Sequence, residues 1–85
     1  MTGTGQNTFV PKLDLSPDQV REARRLLGWK QATLAEEAGI SVGSVSKVES
    51  GIAVRDVTKA AIMTALSDAG AIVDEGGHVR RRPQR

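Results

Sequence analysis

Gly39, set between two short amphipathic stretches, constrains this chain more than any other residue. In the string QATLAEEAGISVGSVSKVESG, Gln31 to Gly51, the residues Leu34, Ala38, Ile40, Val45 and Val48 recur at inward positions. Those between them are almost all polar, so the apolar residues form one face of each of two helices. Gly39 falls where the chain must turn with a positive φ, a conformation that costs glycine little. Ala35 is small where two crossing helices approach closely. The segment predicts helices over about 31–38 and 41–50, packed across a tight turn as a helix-turn-helix.

The flanks extend the helical reading. Leu15-Ser16-Pro17-Asp18-Gln19-Val20 is a helix start. Ser16 suits the cap, Pro17 the first helical position and Gln19 the return bond of a capping box, with Leu15 and Val20 as a staple. Val20, Ala23, Leu26 and Leu27 continue at helical spacing to Gly28. Lys30 is a poor cap for the second helix because it offers no acceptor, whereas Ser41 suits the third. Asp56 is expected to cap a fourth helix with Val57, Ala61, Ile62, Ala65, Leu66 and Ala69 inward, closed by Gly70. Ala71-Ile72-Val73-Asp74 then reads as a strand, Gly76-Gly77 as a type I′ turn, and His78 to Arg82 as a returning strand. A two-stranded hairpin is marginal alone, so something else is expected to pair with it.

The expected fold is mainly α, a compact unit of four to five helices with a short C-terminal β-strand or hairpin. Residues 1–14 are expected to be a flexible arm, 15–70 the helical domain with its helix-turn-helix at 31–50, and 71–85 the strand or hairpin and an arginine-rich tail. Eighty-five residues, 39% hydrophobic and 2% aromatic, suit one small aliphatic core and not a deep enzyme cleft. With no cysteine and one histidine, neither a disulfide nor a thiolate or histidine metal site is expected. No catalytic pair stands on a recognisable framework, so neither an enzyme nor a cofactor is expected. The first residues have neither a basic start nor an apolar run, and no stretch approaches the roughly 20 apolar residues that span a bilayer. The expected location is cytoplasmic, without a membrane partner.

Charge is informative through its placement. The chain has twelve basic and ten acidic residues, and Arg80, Arg81, Arg82 and Arg85 crowd the last six positions. The basic character therefore belongs to a tail and not to an evenly basic body. That tail is either a solvated end or a strip that follows phosphates or enters a minor groove.

The outward face of the third helix is unusually small and polar: Gly43, Ser44, Ser46, Lys47 and Ser50. An ordinary solvated helix carries more Glu and Lys, because Ser and Gly are poor helix formers. Small residues let a backbone approach a base edge or phosphate closely, so double-stranded DNA is the expected partner.

The stretch RRLLGWKQATLAEEAGISVGSVSKVESG resembles the xenobiotic-response-element family of regulators, the Cro and lambda-repressor type. The resemblance rests on Arg24, Gly28, Gln31, Leu34-Ala35, Gly39-Ile40-Ser41, Val48-Glu49 and Gly51. It implies a lambda-repressor-like, sequence-specific regulator, a repressor or autoregulator acting as a homodimer on a palindromic operator. It also implies that Gln31 bonds a phosphate at the start of helix two, and that Arg24 and Glu49 form a structural ion pair. Lys30 departs from the family's usual Ser, which leaves the helix-two cap in question, and is expected to reach the DNA backbone instead. Val42, Gly43, Ser44, Ser46 and Lys47 are the candidates for base edges, Lys47 on guanine or phosphate, Ser44 on base or phosphate and Val42 on a thymine methyl. Ser50 and Arg55 are expected on phosphates. Trp29 is read as a packing residue, Glu36 and Glu37 as a solvated face, and His78 as an exposed turn residue.

Dimerisation is expected through Ala71, Ile72 and Val73, with Val79 from the returning strand and Ile62 and Leu66 in support. Two other functions remain open: an antitoxin that holds a protein partner through the N-terminal arm or C-terminal tail, and an antiactivator that keeps the fold without touching DNA.

Overall fold

The computed structural model describes residues 15–74 and 76–83. The expected arm, residues 1–14, lies outside the described residues, as does Arg85. Four helices are present among those described, α1 (Pro17–Leu26), α2 (Gln31–Ala38), α3 (Val42–Glu49) and α4 (Asp56–Asp68), followed by strands β1 (Ala71–Val73) and β2 (Val79–Arg81).

The start of α1 is the capping box that its sequence predicts. Ser16 Oγ accepts from the Gln19 N–H at 3.2 Å, and Gln19 Oε1 accepts from the Ser16 N–H at 2.9 Å. Helix α2 begins at Lys30 without a side-chain cap and ends at Gly39, whose φ is +71°. There the Ile40 N–H closes on the Ala35 carbonyl at 3.0 Å, the six-to-one bond of a left-handed helix stop. Ser41 then caps α3 by accepting from the Ser44 N–H at 3.1 Å. The turn therefore takes its shape from one glycine and one serine.

Each helix sends a fully buried side chain to a common centre: Val20 from α1, Leu34 from α2, Val45 from α3, and Ile62 and Leu66 from α4. Full burial of one such side chain is worth about 1.5–3 kcal/mol. Ala35 and Val48 are buried beside them, while Ala38, Ile40, Leu27 and Trp29 pack on the periphery.

Three expectations are corrected on the helices. Leu26 is exposed, because the stripe of Val20, Ala23 and Leu27 leaves it one residue, or 100°, off the inward face. Arg55, not Asp56, is the capping residue of α4, and Asp56 is its first helical position. Val57 is 65% exposed, because the turn preceding Ile62 places Thr58 inward instead; Met63, which was not expected, is buried.

The hairpin forms with antiparallel register Ala71↔Arg81, Ile72↔Arg80 and Val73↔Val79. Its connection is not a two-residue type I′ turn, which needs positive φ at both central residues. Gly77 has φ +83° but Gly76 does not. The Asp74 carboxylate organises a longer loop, accepting at Oδ1 from the Gly76 and His78 N–H groups at 3.0 and 2.9 Å. Arg80 Nε donates to Asp74 Oδ2 at 2.7 Å. With the backbone bond from His78 next in weight, this holds the Asp74 pKa at about 2.

The hairpin is supported by the helices. Ala71 and Val79 are buried in the common core. Gln19 Nε2 reaches the Gly77 carbonyl at 2.8 Å, and an Arg82 guanidinium nitrogen reaches the Ser67 carbonyl at the end of α4 at 2.7 Å.

Candidate nucleic-acid interface

Helix α3 buries Val45 and Val48 and turns Val42, Gly43, Ser46 and Lys47 to solvent. Val42, at 45% exposure, is an apolar residue presented on the outside. A methyl group at Gly43 would meet nothing nearer than Ser41 Oγ at 3.8 Å, so internal packing does not require glycine there. Its small size acts outward, where it lets another surface approach the helix backbone. Ser44 is half-buried, and its hydroxyl lies 3.0 Å from Ser41 Oγ, so it faces the cap more than the open side of α3.

Around that face stand Lys30 before α2, Ser50 at the end of α3 and Arg55 before α4, all exposed. Lys30, Lys47 and Arg55 make no ion pair with another described residue. Glu36 and Glu37 are exposed on α2.

The underside of the interface is tied together at Glu49, a buried carboxylate on the last turn of α3. Arg24 of α1 grips it with two bonds, Nε to Oε2 at 2.7 Å and Nη2 to Oε1 at 3.1 Å. Arg24 also donates through Nη1 to the Trp29 carbonyl at 3.0 Å, fixing the bend between α1 and α2. Arg21 Nη1 donates to the main-chain carbonyl of Glu49 at 2.5 Å and pairs with Asp18. Burial pushes the Glu49 pKa up, but the hydrogen bonds from Arg24 and Gln31 and the charges of Arg24 and Arg21 outweigh it. The net shift is downward.

Gln31 is half-buried at the first position of α2, and its Nε2 donates to Glu49 Oε1 at 3.0 Å. Sequence reasoning placed Gln31 at the DNA side but missed this bond, and it missed Arg21 altogether. The signal for Arg21 was its spacing, three residues before Arg24 on the same face of α1.

The six residues expected at a dimer contact divide. Ile62 and Leu66 have no exposed surface, and Ala71 and Val79 are 2% and 6% exposed, so these four are committed to the core of one chain. Ile72 and Val73 remain half-exposed on β1. The ladder bonds Gly70 to Arg82 and Asp74 to His78. By the alternation of an antiparallel pair, the backbone groups of Ala71 and Val73 point away from β2; Ala71 is buried against the core, so of the two only Val73 is partly exposed there.

No helix among the described residues is long and apolar enough to cross a membrane. No individual curated protein is similar enough to the chain to count as a relative. The sequence does match the HTH_3 helix-turn-helix family over residues 20–66, more than half of the chain, from α1 nearly to the end of α4. The chain belongs to this family of Xre- and Cro-like helix-turn-helix proteins, and is a DNA-binding transcriptional regulator.

Proposed function

We propose that the protein binds a two-fold symmetric operator as a homodimer and represses transcription, its own promoter being the first site to test. Helix α3 lies in the major groove with Val42, Gly43, Ser46 and Lys47 at base edges. Ser44 contacts base or phosphate beside its own cap. Lys30, Gln31, Ser50 and Arg55 hold flanking phosphates, which position the protein without reading sequence. The observation that supports this most is the outward face of α3. It combines small side chains, an exposed Val42 and a Lys47 without a described partner, and it is ringed by two further such cations.

A single α3 spans few base pairs, so a lone domain of this size binds weakly. Two copies joined edge to edge along β1 present two recognition helices to half-sites about one helical turn, roughly 34 Å, apart. The outward backbone groups of the half-exposed Val73, beside the half-exposed Ile72, support that edge as the contact.

Selection of bound duplexes from a random pool tests the reading directly. The expected product is an inverted repeat whose half-sites lie about one turn apart. A single asymmetric site would remove the dimer, and no enrichment over bulk DNA would favour an antiactivator.

A further inference from the structure

Glu49 accepts more hydrogen bonds than its charge requires. The bidentate grip of Arg24 already neutralises the buried carboxylate, yet Oε1 takes a further bond from Gln31 Nε2 at 3.0 Å. A carboxylate is acceptor-only, whereas a glutamine amide has one face that donates and one that accepts. The bond therefore selects one of the two amide orientations. Nε2 faces Glu49, and of its two protons one is committed to Oε1 and one is left over.

We infer that Glu49 is a positioning residue for DNA binding: it sets the Gln31 amide so that the remaining N–H is offered to a phosphate at the start of α2. This rests on the reading of Gln31 as a phosphate contact. Without Glu49 the amide turns freely, and half of its orientations present Oε1, an acceptor, to an anionic oxygen. The arrangement also ties α2 to α3, since Glu49 ends the recognition helix while Gln31 begins the helix before it. The phosphate donor and the base-reading helix are thereby held in one register.

The test is a double-mutant cycle on the full chain, read as affinity for a duplex of arbitrary sequence at low salt, where phosphate contacts dominate. Gln31→Ala is expected to weaken binding roughly tenfold, as for loss of a hydrogen bond to a charged group. Glu49→Gln is expected to weaken binding in the natural background and to have little further effect once Gln31 is Ala. Equal losses in both backgrounds, with Gln31→Ala still weakened, overturn the positioning role alone. Unchanged affinity in Gln31→Ala overturns the phosphate reading itself. If Glu49→Gln does not fold, NMR of the natural chain decides: the Gln31 side-chain amide signals are expected to move with the titration of the Glu49 carboxyl carbon. Independent behaviour overturns the inference.

Discussion

The guanidinium of Arg24 and the carboxylate of Glu49, 25 residues apart in sequence, meet through two parallel hydrogen bonds of 2.7 and 3.1 Å. Glu49 is 4% exposed, and the other nearby cation, Arg21, bonds its main-chain carbonyl and not its carboxylate, so loss of Arg24 leaves a buried charge without its forked partner. Arg24→Ala is expected to cost about 3 kcal/mol or more, as when one member of a buried pair is lost. Arg24→Lys recovers only part of this, because an ammonium cannot make the forked contact. Urea unfolding of both variants measures the difference.

The same carboxylate sets an acid limit. The folded pKa of Glu49 lies below its ordinary value of 4.5. Its contribution to stability is therefore present above that value and lost as pH falls below it. Asp74, held at about 2 against an ordinary 3.8, follows the same sign in a lower window. The melting temperature is expected to fall as pH is lowered from 5 towards 2, and Asp74→Asn should flatten the lower part of that decline. A melting temperature independent of pH in this range would contradict both assignments.

Gly39→Ala tests the turn. The position has open space around it, so a methyl group clashes with nothing, and only its φ of +71° opposes the change. The expected cost is about 1–2 kcal/mol from left-handed backbone alone. Thermal unfolding reads it; a neutral result would mean that the turn relaxes.

Lys47 and Arg55 should separate by the kind of loss they cause. Lys47→Ala is expected to relax base preference at one position of each half-site by about 1–3 kcal/mol. Arg55→Ala is expected to weaken all sequences alike and reduce the salt slope by about one. Affinities over a panel of duplexes at several salt concentrations distinguish the two. Uniform weakening by Lys47→Ala would move that residue to a phosphate.

The dimer edge is best probed without truncation, because Ala71 and Val79 belong to the core. Val73→Pro removes an N–H that faces away from β2, so the hairpin ladder survives while the outer edge loses a donor. Sedimentation should show a monomer with its helices intact. A variant that remains dimeric would place the contact elsewhere.

The helix-turn-helix was legible because its constraints are local. Gly39 marks a left-handed stop, Ser41 a cap, and the period of Leu34, Val45 and Val48 an inward face. The Arg24–Glu49 pair was reached only through family resemblance, since nothing near either residue in sequence names the other. What the chain hid was cross-element economy. Val57 and Leu26 look apolar enough for the core, but helical phase turns them outward. Ile62, Leu66, Ala71 and Val79 look available for a partner, yet an 85-residue chain with few aromatic residues has to use them itself. The Gly-Gly pair suggested a minimal turn because the carboxylate that reshapes it, Asp74, lies outside the pair.

Gln19 uses both ends of one amide at once, its oxygen completing the first turn of α1 and its nitrogen holding the hairpin loop at Gly77. Each bond restrains the amide for the other, so the start of α1 and the docking of the hairpin loop are expected to be coupled. A partner seated along β1 would thus act on protection of the α1 amides against hydrogen exchange, a remote sign of assembly. Helix α1 and the hairpin loop, joined here by residues 58 apart in sequence, would open and close together.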